Sequence, residues 1–334
     1  MKRREFIAKT TGGGVLAATG ARAAGPQPAS SHSLTDLTRR EEVVIERAAL
    51  GNPHAGKVLA VIQPHADDIP LFAAGTVAKL IAEGYTGYLI RTSNDDMAGV
   101  GTPGETMLNN ERDNDRLAKV LGLRKVFNLE YRNHRMDGVS RQDMRGRLIF
   151  LFRVLKVDTV ICYDPWGLYE ENPDHYVTAQ MVESACWMAG GDKDYPEHFE
   201  AGLQPRMVGE KYYFARGPQL ANRIVDITPY IDKKVEANLV NVTQGPAGQN
   251  GSRVRARLAA QGRRLPILGS SDDSANRLYI KHIVLDYDSL SLRGIPSDRE
   301  VGRPYGLEWA EAFHYIGPPQ SKLDQYISEN AVAL

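Results

Sequence analysis

The sequence predicts an α/β protein: a mostly parallel, Rossmann-like sheet with helices on both faces, a three-layer α/β/α arrangement. Two patterns carry this expectation. From residue 57 to residue 190, short apolar runs alternate with stretches of helical period. The runs are also apolar almost throughout, as in strands buried on both faces, rather than alternating apolar with polar. A third observation points to a site. The first run stops at "PHADDIP", where His65, Asp67 and Asp68 crowd together at the end of a buried strand. Charged groups there lose water at a cost of several kcal/mol unless something pairs with them.

The elements follow in order. "SLTDLTRREEVVIERAAL" (33–50) reads as a charged amphipathic helix. "KVLAVIQ" (57–63) is a strand and "PLFAAGTVAKLIAEG" (70–84) a helix stopped by Gly84. "TGYLIRTS" (86–93) is the second strand, and "GETMLNNERDNDRLAKVLGL" (104–123) is a helix ending at Gly122. "KVFNLEY" (125–131) is the third strand, followed by the helix "SRQDMRGRLIFLFRVLK" (140–156). "VDTVICYD" (157–164) is the fourth, followed by "DHYVTAQMVESACWMAG" (174–190), with Gly190 and Gly191 as the stop. Beyond residue 200 the pattern weakens. "KYYFARG" and "NRIVDIT" read as strands, and "PYIDKKVEANLVNVTQ" as a helix opened by Pro229. The arginines of "GPAGQNGSRVRARLAAQGRRLP" read as a solvated helix face.

The N-terminus stands apart. "MKRREFIAKTTGGGVLAATGARAAG" has a basic start, a weakly apolar middle and a small-x-small exit at Ala21-Arg22-Ala23, the layout of a removable export signal. Arg3 and Arg4, with Phe6 close behind, resemble the twin-arginine signal. The expectation is export by the twin-arginine machinery to the bacterial periplasm or beyond; a signal for the unfolded route is the alternative. The expected organisation is a signal peptide (1–23), a linker (24–34), one catalytic domain (35–320) and a C-terminal tail (321–334).

Composition narrows the partners. A formal net charge of +0 gives no global field towards nucleic acid or anionic membrane. No apolar run after the N-terminus is long enough to span a bilayer. A 42% hydrophobic and 25% charged composition suits an ordinary globular domain. Cys162 lies in an apolar run and Cys186 in a helical one, which favours two buried free thiols over a disulfide.

In such sheets ligands bind beyond the carboxyl ends of the strands. His65, Asp67 and Asp68 lie just past the first strand, and "CYDPWGLYEENPDH" spans the end of the fourth. His175, after Pro173 and Asp174, supplies a second imidazole. His65, Asp68 and His175 would then form a two-imidazole, one-carboxylate set with open positions, the pattern of a catalytic zinc site. Asp67, outside that set, is free to take a proton from water activated there. Taken singly, the aspartates also suit a helix N-terminus, and His175 an ordinary helix start.

With those residues in place, the chain resembles the PIG-L/LmbE-like zinc-dependent N-deacetylases. That family carries His-Pro-Asp-Asp-Glu after the first strand and His-Pro-Asp-His after a later one; here the two stand as "PHADDIP" and "ENPDH". The resemblance extends over about residues 57–316 and takes in "LGLRKVFNLEYRNHRM", "VDITPYIDKKVEANLVNVTQ" and "EWAEAFHYIG". It implies an LmbE-like fold and one Zn2+ per chain on His65, Asp68 and His175, other divalent transition metals being alternatives. It implies Asp67 as general base and hydrolysis of an amide, usually the N-acetyl group of an amino sugar. It also implies a glycan or small-molecule substrate. Several positions depart from the pattern. The first histidine of the second motif, which steadies the oxyanion, is Asn172, an amide that can donate but carries no charge. Ile69 stands for the glutamate, Ala66 for the proline, and Asn241, ahead of Gln244, for a further histidine. Arg132, Asn133 and His134 occupy a segment that contacts the sugar in relatives, and Asp174 neighbours the ligands. An amidase for non-sugar amides, or a metal- or carbohydrate-binding protein without catalysis, are the competing readings.

Overall fold

The structure is a computed structural model that describes residues 43–289, 295–318 and 322–333. The export signal, the linker and residues 33–42 of the first expected helix lie outside the described residues.

Eight strands form one sheet: β1 (Val44–Glu46), β2 (Val58–Gln63), β3 (Thr86–Ser93), β4 (Val126–Tyr131), β5 (Thr159–Tyr163), β6 (Glu210–Phe214), β7 (Arg223–Asp226) and β8 (Ala310–Ile316). Their order across the sheet is β1-β7-β8-β6-β5-β2-β3-β4. All neighbours run parallel except β8, which is antiparallel to both β6 and β7. The helices are α1 (Asp68–Phe72), α2 (Ala74–Ala82), α3 (Pro103–Leu121), α4 (Arg141–Leu155), α5 (Pro173–Met188), α6 (Pro196–Glu200), α7 (Ile231–Leu239), α8 (Asn250–Ala259), α9 (Asp272–Tyr279), α10 (Asp298–Gly302) and α11 (Leu323–Asn330). The mostly parallel α/β architecture is the one expected.

Topology sets the site. The chain moves outward from β2 to β3 to β4, then restarts with β5 on the other side of β2. Crossovers are right-handed, so the connections on the two sides of this restart cover opposite faces. The switch point therefore lies between β2 and β5, and a crevice opens at their carboxyl ends. β5 is buried throughout and β2 from its second residue on, with Leu59, Val61 and Ile62 on β2 and Val160 and Ile161 on β5 inaccessible to water. Cys162 and Cys186 are buried free thiols in the same core. No helix of the described residues is long and apolar enough to cross a membrane.

Three elements differ from the expectation. The helix expected over 33–50 is a strand at Val44–Glu46, because the β-branched pair Val44 and Ile45 lies along β7 as a parallel edge. Glu46 then reaches inward and accepts hydrogen bonds from Lys79 (2.8 Å), Arg223 (2.8 Å) and Tyr212 (3.0 Å). The helix expected over 70–84 starts earlier, at Asp68, and breaks at Ala73 (φ −144°, ψ 2°). Glu311, on β8, accepts from the amides of Gly75 (3.0 Å) and Thr76 (2.8 Å) and so caps a second helix start. The helix opened near Pro229 ends at Leu239. The following residues form a loop, pinned where Asp113 Oδ2 accepts from the amides of Val242 (2.9 Å) and Thr243 (2.8 Å). That loop carries Gln244 and Gly245 to the crevice.

Candidate metal centre and catalytic cavity

The two sequence motifs meet across the β2–β5 junction. His65 follows β2, and its amide donates to Asp68 Oδ2 (2.8 Å) at the start of α1. Tyr163, the last residue of β5, donates its hydroxyl to Asp68 Oδ1 (2.7 Å) and stacks on the His175 ring at a centroid distance of 4.2 Å. His175 sits in the first turn of α5. Asn172 is the N-cap of that helix, its side-chain oxygen accepting from the Asp174 amide (3.0 Å), and Pro173 fills the first helical position.

The outer nitrogen of each imidazole faces a carboxylate. His65 Nε2 lies 3.0 Å from Asp174 Oδ2, and His175 Nδ1 lies 3.1 Å from Glu170 Oε2. Those carboxylates assign the N–H groups to the outer nitrogens and leave lone pairs on the inner ones. The inner nitrogens, His65 Nδ1 and His175 Nε2, then face each other at 3.0 Å. Asp68 oxygens lie 3.5 Å from each. Two lone pairs and a carboxylate converging on one buried point call for a cation. The same demand for positive charge raises proton affinity at the site, where a proton and a metal compete for the inner nitrogen. Burial opposes charge on His65, yet Asp174 and Asp68 hold its proton affinity well above the usual imidazole range. Burial likewise opposes ionisation of Asp68, but His175, His65 and Tyr163 hold its pKa at about 2. One ligand atom from each of His65, Asp68 and His175 falls within a 4.8 Å cluster, and this donor set suits zinc or a similar divalent metal.

A cavity of about 190 Å³ opens on this cluster. Asp67 lines it without belonging to the ligand cluster. Gly245 packs against Asp67: a Cβ there would meet Oδ2 at 2.7 Å and φ is +79°, so glycine is required twice over. Burial pushes the Asp67 carboxyl up to about 7, with Asp68 adding to the effect. A bound dication would draw it back down.

The remaining expected residues divide. Asn172 lines the cavity; its oxygen is engaged by the helix cap, so its NH2 is the end left for a ligand. Asn133 lines it too, is buried, and has neither amide atom hydrogen-bonded among the described residues. His134 lines it in the left-handed conformation (φ 59°), its amide donating to Asp174 Oδ2 (2.7 Å). Asp174 thus positions both His65 and the His134 segment. Arg132 does not join them: its guanidinium is turned onto Asp96, with Nε 3.0 Å and Nη2 2.9 Å from Oδ2, and it does not line the cavity. Ile69 packs in the core, so nothing replaces the glutamate of the resemblance there. Gln244 lines the cavity, whereas Asn241 is buried away from its lining.

Three residues escaped the sequence reading: Tyr163, Glu170 and Arg216. Tyr163 and Glu170 were visible inside "CYDPWGLYEENPDH", but only the strand pairing aims them at Asp68 and His175. Arg216 lies two residues past β6, in "YYFARG". The carboxyl-edge rule, extended to the neighbour of β5, would have found it.

Known proteins agree with the fold and the motifs. The family model described as PIG-L, GlcNAc-PI de-N-acetylase, matches residues 60–186, which include every residue of the metal cluster. A curated relative, the diacetylchitobiose deacetylase of Thermococcus kodakarensis, is 25% identical over 194 residues, 57% of this chain and 71% of that protein. Among solved structures, the N,N'-diacetylchitobiose deacetylase from Pyrococcus horikoshii superposes with a TM-score of 0.60 at 22% identity, covering 80% of this chain and 89% of that one. GalB, the 4-carboxy-2-hydroxymuconate hydratase from Pseudomonas putida, shares the fold at a TM-score of 0.52 and 16% identity, covering 79% of this chain and 98% of that one.

Proposed function

We propose that the chain hydrolyses an amide, removing the acetyl group from an N-acetyl-amino sugar or its conjugate at a divalent metal, zinc by its donor set, held by His65, Asp68 and His175. The observation that carries this reading is the pair of inward-facing imidazole nitrogens 3.0 Å apart beside Asp68, with a second carboxylate, Asp67, at the same cavity and outside the set. A metal bound there acidifies water and polarises a carbonyl. Asp67 takes the proton of the attacking water and passes it to the leaving nitrogen. The NH2 of Asn172 donates to the carbonyl oxygen, and the unpartnered amide of Asn133 pairs with a hydroxyl or the acetamido group of the substrate. One water is consumed; the C–N bond breaks; acetate and a free amine leave.

The likeness to a hydratase argues that the fold alone does not select the reaction. The amide reading is supported instead by the donor set, by Asp67 and by the curated relative that is a diacetylchitobiose deacetylase. The test is acetate release from N-acetylglucosamine, diacetylchitobiose and small non-sugar acetamides. Release from the sugars, abolished by a chelator and restored by zinc, is expected. Release from the non-sugar amides alone would replace the sugar reading, and release from none would overturn the hydrolase reading.

A further inference from the structure

When water adds to an amide carbonyl, the C=O π pair moves onto oxygen, and the cavity must stabilise that charge. The neutral NH2 of Asn172 is a modest donor for the purpose. Of the described residues lining the cavity, Arg216 alone carries a permanent positive charge. It follows β6, which pairs in parallel with β5, and so reaches the same edge as His175.

Its side chain is held in place. Arg216 Nη2 donates to Glu170 Oε1 (2.8 Å) and Nε to Glu170 Oε2 (3.3 Å), a forked contact that fixes the guanidinium plane. Glu170 is itself anchored, its Oε1 also accepting from the Asn172 amide (2.9 Å). Nη1 is left without a hydrogen bond among the described residues. The side chain is only 23% exposed, so the charge is partly stripped of water. A fixed, partly desolvated cation with one spare N–H edge beside a reacting carbonyl has the properties of an oxyanion donor.

We propose that Arg216 is a further catalytic residue, donating from Nη1 to the carbonyl oxygen of the bound amide as that oxygen becomes anionic. The inference rests on the amide-hydrolysis reading above. As the tetrahedral adduct collapses, the electron pair returns from oxygen to re-form C=O. The C–N bond breaks, and nitrogen leaves with the proton carried by Asp67. Glu170 serves both sides of the site, accepting from Arg216 on both oxygens while Oε2 also faces His175.

Two substitutions separate this role from a structural one. Arg216→Gln removes the charge. Arg216→Lys keeps a cation for Glu170 but loses the fork and the second edge. The measurements are zinc content, calorimetric affinity for methylphosphonate (a small tetrahedral anion), and kcat and KM on an N-acetyl sugar. Both variants should keep about one zinc, bind methylphosphonate about 10²- to 10³-fold more weakly and lose kcat by a similar factor with little change in KM. Unchanged methylphosphonate affinity in zinc-loaded Arg216→Lys, or no binding by the unmodified protein, would overturn the proposal. Loss of zinc from both variants would also overturn it, making Arg216 a positioning residue for the metal centre. If the unmodified protein releases no acetate while its methylphosphonate affinity still depends on Arg216, the amide reading fails and the anion contact stands.

Discussion

Two buried clusters of charge in this molecule are built on opposite principles. At one, Lys234 on α7 sends Nζ to within 2.7 Å of Glu311 Oε1 and of Asp298 Oδ2, and Glu311 also accepts two amides at the start of α2. Lys234 is fully buried, and its one positive charge is shared by the two carboxylates. At the other, the outer faces of His65 and His175 are matched by Asp174 and Glu170, but the inner faces meet lone pair to lone pair. The first cluster is complete without any ligand and joins α7, β8 and α10. The second is complete only around a cation. The difference teaches how to tell structural charge from functional charge: both clusters are buried and both border a cavity, but only the second sets two imidazole lone pairs against each other, with a further carboxylate, Asp67, outside the ligand set.

Breaking the balanced cluster should act on stability alone. Lys234→Ala leaves the buried carboxylates of Glu311 and Asp298 without their shared cation and should lower unfolding free energy in urea by about 3–5 kcal/mol. Zinc content of the folded protein should be unchanged; a loss under about 1 kcal/mol would erase the contrast between the clusters. A smaller effect sharpens it from the other side. Glu170→Gln keeps size but weakens the group facing His175 Nδ1, so zinc affinity by competition titration should fall about 10- to 100-fold with the fold intact. An unaltered affinity would remove Glu170 from the support of the metal centre.

Legibility in the sequence follows the same division. Six strands, β2 to β7, were readable because each is a short run rich in β-branched, aromatic or other apolar residues set off from its neighbours. His65, Asp68 and His175 were readable because the carboxyl-edge rule brings two distant motifs together before any coordinate is known. β1 was not: "EEVVIER" carries charges that suit a solvated helix, and only its pairing with β7 and the inward ion pairs of Glu46 make it a strand. The break at Ala73 was hidden for a similar reason. Its cause is a carboxylate on β8, more than two hundred residues away, which no local signal announces. Arg132 shows the same limit within the site: its segment was identified, but Asp96 captures its head while Asn133 turns to the cavity. Residue type and strand order locate a site, whereas long-range polar partners decide which side chains in it are free to act.

The central claim is that two adjacent carboxylates divide the work, Asp68 holding the metal and Asp67 moving the proton. The direct measurement is zinc content and acetate-release turnover of Asp67→Asn beside Asp68→Asn, since each change preserves shape and removes one carboxylate. Asp67→Asn should retain about one zinc per chain while turnover falls about 10²- to 10⁴-fold, and Asp68→Asn should lose zinc and turnover together. Full turnover in Asp67→Asn, or zinc retained equally by both variants, would contradict it.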